Sequence, residues 1–415
     1  MRSTGCRKPL PVIDARRVST RPPPSDVHGR SVDPSSFPTD ATLFWLAAII
    51  GRHLSGTSDP RTQDMPPEDD LVRLSALILR HRVTPLADEA IRAGATADTP
   101  LRWRQLLEWL GKQRAVRTRR SLLLCGRLGA VVRALEARDL PCLSLKGVAL
   151  GARCFPNLGL RETGDIDLLV DGRSVPDVHG VLEAEGFRLV DEASRMPKQG
   201  PPTLTPFEHH VTYLGQDGVV LELHHRLHPN HCLMPIPVRT LMETADRVGL
   251  AGTFVPVLAE PFHTMYLATH GARHSWRRLQ WLLDIWMLQR NAGTGWEATI
   301  EAAEAMRLGV PMHSGIILAS RLFGGEIPEA SRATYARSAG LRYAVRHGMD
   351  ALCCTRTADE TPITTIPTSS FVPALMAQGS LRHGGVEILQ RAQLIGRSMK
   401  SRVVTWRRTL AHRSR

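Results

Sequence analysis

In the segment Arg161-Glu-Thr-Gly-Asp-Ile-Asp-Leu-Leu-Val170, two carboxylates, Asp165 and Asp167, stand one apolar residue apart and lead into an apolar run. In an extended strand, residues two apart share a face. Asp165 and Asp167 then project together while Ile166 and Leu168 turn into a core. Two adjacent negative charges repel, and a divalent cation relieves them. Mg²⁺ takes one or two carboxylates and completes its shell with water and substrate phosphates, which suits phosphoryl or nucleotidyl transfer. Asp-x-Asp is also a common tripeptide, and a solvated turn ahead of a strand accounts for it as well.

The elements around the pair bear on that choice. Upstream, Leu140-Pro-Cys-Leu-Ser-Leu145 reads as a strand, Lys146-Gly147 as a turn and Val148 to Arg153 as the start of a helix. Free N–H groups at a helix start, with Gly allowing close approach, form a phosphate-binding arrangement. Of 53 basic residues only Lys8, Lys112, Lys146, Lys198 and Lys400 are Lys. In an Arg-using chain, Lys146 beside this Gly is either a chance surface residue or a compact charge for a phosphate. Downstream, Ser174 to Glu185 reads as a helix capped by Ser174, and Phe187 to Val190 as a strand. His209 to Leu214 and Val219 to His224 flank Gly215-Gln-Asp-Gly218 as a hairpin. Glu222, between Leu221 and Leu223, is a third acidic candidate unless it lies on an exposed alternating face.

Histidines at 209, 210, 224, 225, 228 and 231 raise a transition-metal site, and a hairpin brings His210 near His224. Their spacing matches no zinc motif, so His224 reads better as orienting substrate or metal beside Glu222. His270 and His274 share a helix face. Asp284 lies ten residues on, about 15 Å along a helix, so a polar seam against the sheet competes with a cleft border. Arg161 can pair with Asp165 or contact a phosphate.

Taken together, these pieces resemble the nucleotidyltransferase superfamily, whose catalytic domain is like that of DNA polymerase β. More closely, they resemble a bacterial group of uncharacterised nucleotidyltransferases. The likeness is carried by Leu145-Lys146-Gly147, Arg161 to Val170, Glu222-Leu223-His224 and Thr269-His270 through His274, Trp276 and Asp284, and extends over residues 40–345. It implies an α+β fold: a polymerase β-like core, a mixed sheet with helices, flanked by helical N- and C-terminal regions. The implied activity is metal-dependent transfer of an NMP from an NTP to an acceptor, releasing pyrophosphate. Asp165, Asp167 and Glu222 would be the catalytic carboxylates and the ligands of Mg²⁺ or Mn²⁺. Lys146, Gly147, Arg161 and Gly164 would bind the nucleotide, and His210, His224, His270, His274 and Asp284 would border a substrate cleft. The chain departs from the wider superfamily in having Lys146-Gly147 where Gly-Ser is usual, and Glu as the third carboxylate. Two rivals stand beside this reading. One is a non-catalytic nucleotide- or partner-binding module, such as half of a toxin–antitoxin pair. The other is a kinase-like transfer of the terminal phosphate.

Composition bounds these readings. With 415 residues the chain can hold two or three domains. Only 5% of residues are aromatic, which disfavours a base-stacking platform for single strands. A net charge of +13 suits anionic partners. Much of the excess lies in the tail from Arg382 to Arg415, which contacts an anionic surface or is simply a solvated basic helix. The acceptor is left open among a peptide, a protein, a sugar, a small molecule and an RNA end. Seven cysteines without a Cys-x-x-Cys pair indicate reduced, cytoplasmic usage. No run is long enough for a signal peptide or a membrane span. The expected organisation is a disordered Pro-rich arm (1–40), a helical domain (41–139), the catalytic core (140–260), a second helical domain (261–350), and a linker with the basic tail (351–415).

Overall fold

The structure is a computed structural model, and it describes residues 40–57, 65–191, 196–205, 208–293 and 295–354. The expected Pro-rich arm before Asp40 and, beyond Cys354, the expected linker and basic tail lie outside the described residues. Within them the chain is a mixed α and β protein with thirteen α-helices and one seven-stranded sheet. None of the described helices is long and apolar enough to cross a membrane.

The N-terminal helices are α1 (Ala41–Ser55), α2 (Leu71–Arg80), α3 (Thr84–Ala93) and α4 (Leu101–Glu136). Asp40 caps α1 by accepting the Leu43 N–H at 3.1 Å, and Gly56 closes it at φ 70°. The chain breaks between α2 and α3 at His81–Val83, and Pro85 occupies the first turn of α3, where its missing N–H costs nothing. The 36 residues of α4 span about 54 Å. Its first third buries Trp103, Leu106, Leu107 and Leu110, with Trp103 edge-on to Trp45 at 5.6 Å. Its last third buries Leu124, Leu128, Val131, Val132 and Leu135 in the sheet core. No side chain from Gly111 to Arg120 is buried, so α4 is a beam whose two ends belong to different cores.

The strands are β1 (Leu143–Ser144), β2 (Asp165–Leu169), β3 (Phe187–Val190), β4 (His210–Gly215), β5 (Val220–His224), β6 (Asp246–Leu250) and β7 (Thr253–Val257). They lie in the order β3-β4-β5-β2-β1-β7-β6; β2–β5 and β1–β7 are parallel and the other pairs antiparallel. The expected six-residue strand from Leu140 shortens to two, since Pro141 has no N–H to give a ladder. Leu145 still donates to the Asp167 carbonyl at 3.1 Å. Three helices accompany the strands: α5 (Gly147–Cys154), α6 (Val175–Ala184) and α7 (Val238–Glu243). Ser174 was the expected cap of α6 but makes no capping bond; a short 3₁₀ turn, Gly172–Ser174, precedes the helix and Asp171 caps that turn instead.

The C-terminal helices are α8 (Phe262–Arg273), α9 (Leu279–Ala292), α10 (Glu297–Ala305), α11 (Gly309–Phe323), α12 (Glu329–Arg337) and α13 (Ala339–Cys353). They pack against the N-terminal helices, α1 lying on α11. The last carbonyls of α13 have no partners within the helix. Side chains of α2 and the turn after it supply them. Arg73 donates to Cys353, Arg80 to Ala351 at 3.0 Å, and His81 Nε2 lies 3.1 Å from the Leu352 carbonyl. Burial, with Arg80 close by, lowers the His81 pKa to about 3 and keeps the ring neutral. Its Nδ1 therefore accepts the Leu279 N–H at 3.2 Å while Nε2–H donates.

Trp276 fixes the join between α8 and α9. It is fully buried, its indole N–H donates to Ser314 at 3.1 Å, and it lies among Gly271, Gly315 and Gly348. A Cβ on Gly315 would stand 2.9 Å from the ring, and one on Gly271 would overlap it. Gly271→Ala is therefore expected to cost about 1–3 kcal/mol by overpacking. Urea unfolding of the variant checks this, and an unchanged midpoint would contradict the packing described.

Candidate active site

The register of three neighbouring strands builds one polar surface. Asp167 stands opposite Glu222 in the parallel pair β2–β5, and Leu169 opposite His224. Across the next pair, Glu222 faces Thr212 and His224 faces His210. Alternation does the rest: Ile166, Leu168, Leu221 and Leu223 enter the core on one face. Asp165, Asp167, Glu222, His224, His210 and Thr212 fall on the other.

Asp167 is the buried centre of this surface, at 1% exposure. Its Oδ1 lies 3.1 Å from Lys146 Nζ and 3.3 Å from His224 Nε2. His224 Nε2 is also 3.5 Å from Glu222 Oε2. Burial opposes the charge on Lys146, yet Asp167 and then Asp165 outweigh it and raise the ammonium pKa well above its ordinary value. The same contest raises His224, where burial is overcome by the bonds to Asp167 and Glu222. Burial resists ionisation of Glu222, but His224 and Lys146 hold it well below the usual carboxylate range. Lys146 is thus no chance surface residue: its side chain is 19% exposed and closes the charge balance of the site.

Gly147 makes the turn from β1 into α5 at φ 71°, a left-handed conformation with the Asp165 carbonyl 3.4 Å from any added Cβ. No side chain caps α5. Beside this turn opens a cavity of about 190 Å³ lined by Lys146, Gly147, Gly164 and Asp165. Of the three carboxylates, only Asp165 lines it. Its far wall is formed by His270, His274 and Trp281, whose rings stand 4.8–5.5 Å apart. Burial, with cationic neighbours, lowers both imidazoles well below their ordinary pKa.

Arg161 lines this cavity and pairs with Asp284 rather than with Asp165. Its guanidinium forks onto Asp284, Nε to Oδ1 at 2.7 Å and Nη2 to Oδ2 at 2.8 Å, both residues buried. Its Nη1 donates to the Gly147 carbonyl at 3.1 Å and to Thr163 at 3.2 Å. The pair spans 123 residues of sequence, a link that spacing within one helix does not reveal. Asp284 therefore does not join His270 and His274; it braces the Gly147 turn through Arg161.

Three cationic wall residues escape a sequence reading: Arg82, Arg277 and Arg278. Arg82 comes from the turn between α2 and α3 and sits at φ 55°. In a chain where Arg is used almost everywhere, nothing in its neighbours marks it. Arg277 and Arg278 follow Trp276 directly, and their place in the wall comes from the α8–α9 join. Glu162, beside the carboxylate pair, ties this wall together. It accepts the Thr84 N–H at 2.7 Å and Arg117 Nε at 2.9 Å, and its carbonyl accepts from Gln280.

A family model described as uncharacterised nucleotidyltransferase matches residues 67–324, more than half of the chain. The chain belongs to this family. The matched stretch contains every residue of the surface and cavity described above, from Arg82 to Asp284. No curated protein matches the chain. Family membership supports a transferase, with nucleotidyl transfer as its general class.

The Arg161–Asp284 fork predicts a large effect of breaking one side. Asp284→Asn leaves a buried guanidinium without its counter-charge and is expected to cost about 3–5 kcal/mol. Replacing both residues, with Arg161→Met and Asp284→Leu, is expected to recover much of that loss. Denaturant titrations of the single and double variants measure it. Equal stability of Asp284→Asn and parent would show that the fork is not the brace.

Proposed function

We propose that this protein transfers an NMP from an NTP to a hydroxyl-bearing acceptor and releases pyrophosphate, on a core of the DNA polymerase β type. The observation that carries the reading is the register that gathers Asp165, Asp167 and Glu222 on one sheet face beside a cationic cavity. The acceptor oxygen would attack the α-phosphorus as the bond from that phosphorus to the bridging oxygen breaks, and pyrophosphate would carry away the electron pair. Asp165, which lines the cavity, would take up the acceptor proton.

The residues fit a divalent cation. Asp167 and Glu222 each offer a carboxylate oxygen, and these lie within 4.8 Å of each other. Asp167 Oδ2 is buried with no hydrogen-bond partner, a costly state unless something else binds it. Two carboxylates suit Mg²⁺ or Mn²⁺. Bound there, the cation would polarise the phosphate and lower the pKa of the acceptor hydroxyl. Lys146, Arg82, Arg277 and Arg278 would neutralise the triphosphate, and the Gly147 turn would let backbone approach it. The wall of His270, His274 and Trp281 would border the base or the acceptor. Arg161, which also lines the cavity, would hold the Gly147 carbonyl in place beside it.

Two experiments test this reading. Cell extract incubated with the protein and α-labelled NTP is expected to yield a labelled acceptor that depends on Asp165 and Asp167 and vanishes in Asp165→Asn. Label arriving only from γ-labelled NTP would make the reaction phosphoryl transfer, and label from neither would sink the enzymatic reading. Separately, Lys146→Ala is expected to raise the NTP dissociation constant about tenfold to hundredfold, the weight of a charge-assisted bond. Lys146→Arg should restore part of this, because a planar fork replaces a point charge. Unchanged affinity in calorimetric titration of the Ala variant would place Lys146 outside the phosphate site.

A further inference from the structure

A second group of ligand atoms lies one strand further along the same face. His209, His210 and His224 each place a ring nitrogen within 4.8 Å of the other two. Their ring centroids stand 4.4, 5.0 and 5.2 Å apart. His210 Nδ1 and His209 Nε2 are 3.3 Å apart. Two nitrogens bound to one tetrahedral Zn²⁺ at about 2.0–2.1 Å would be separated by roughly 3.3–3.4 Å. The observed spacing is that of one edge of such a site.

His224 supplies the independent observation. The ring is 3% exposed, its Nε2 faces Asp167 and Glu222, and its Nδ1 is buried without a hydrogen-bond partner. A metal-bound imidazole characteristically donates its other N–H to a carboxylate, which fixes the ring and its tautomer. Nε2–H on Asp167 with Nδ1 left for a cation is that arrangement. Thr212 Oγ1, on the same face of β4, is also buried without a partner. The backbone holds the pieces in place: His210 and His224 are cross-strand partners, and the His209 carbonyl accepts the His225 N–H at 2.9 Å.

We propose that His209, His210 and His224 form a transition-metal site, distinct from the carboxylate site and selective for a borderline-soft dication such as Zn²⁺. Three nitrogen donors disfavour Mg²⁺, which demands oxygen. Three protein ligands leave a fourth position open to water or an anionic ligand. The site rests on imidazole geometry and stands whether or not nucleotidyl transfer is confirmed. Its consequence for the neighbouring surface is positional: with His224 held at both ring nitrogens, the partner of Asp167 and Glu222 cannot rotate.

The test uses the full chain, stripped with a chelator and titrated with Co²⁺ as the spectroscopic probe and Zn²⁺ as its competitor. The expected result is one saturable equivalent with the intense visible absorption of four-coordinate Co²⁺, displaced by Zn²⁺. His209→Ala and His210→Ala should each weaken binding at least tenfold, while His231→Ala, removing an exposed histidine nearby, and Asp165→Asn should not. Circular dichroism of each variant checks that it is folded. The parent spectrum decides even if a variant does not fold. A faint six-coordinate spectrum, or no saturable binding, overturns the site, as does undiminished binding by folded His209→Ala and His210→Ala variants. Loss of binding in a folded Asp165→Asn variant overturns the site too.

Discussion

A negative charge sealed inside the protein organises this molecule. Asp167 is withdrawn from water, and an isolated carboxylate in that position would be too costly to keep ionised. Lys146 and His224 meet it from two sides, one from the turn after β1 and one from β5. The demands of that charge fix where the turn must run, which strand must lie beside β2, and in which register. A shift of β5 by a single residue would turn Glu222 and His224 into the core and Leu221 and Leu223 onto the polar face. The same register therefore sets both the core and the chemistry.

Support for this centre is layered outward. Arg161 and Asp284 hold the Gly147 turn, and Asp284 is carried by α9, whose position depends on Trp276 seated among three glycines. Glu162 then links the segment before β2 to the N-terminus of α3 and to α4. The cavity's walls come from widely separated parts of the chain, and Glu162 and the Arg161–Asp284 fork tie several of them together.

Much of the centre could be read from the chain because it is local. The two-residue period of Asp165-Ile166-Asp167 and Glu222-Leu223-His224 assigns faces, and the hairpin around Gly215 to Gly218 brings His210 to His224. What could not be read is what folding joins over long distances. Arg161 finds Asp284 across 123 residues, and Arg82 reaches the cavity from a turn between helices. β1 reads from the sequence as six residues although Pro141 interrupts it, and the sheet-extending β6–β7 hairpin was not singled out. Its strands alternate weakly, with exposed Phe254 among them. The helical segments were legible from apolar spacing, whereas α4 serving two cores was not, because a continuous helical rhythm does not say what each stretch packs against.

The closure of α13 by α2 bears on where this protein can be cut. The family match ends at residue 324, yet Arg73, Arg80 and His81 satisfy carbonyls between residues 351 and 353. A fragment trimmed to the matched boundaries would take these carbonyls away from Arg73, Arg80 and the neutral His81 ring. His81 also orients Leu279 at the start of α9, so the damage would travel inward to the brace on Gly147. The smallest self-sufficient piece is therefore longer than the stretch by which the family is recognised, and extends through the end of α13.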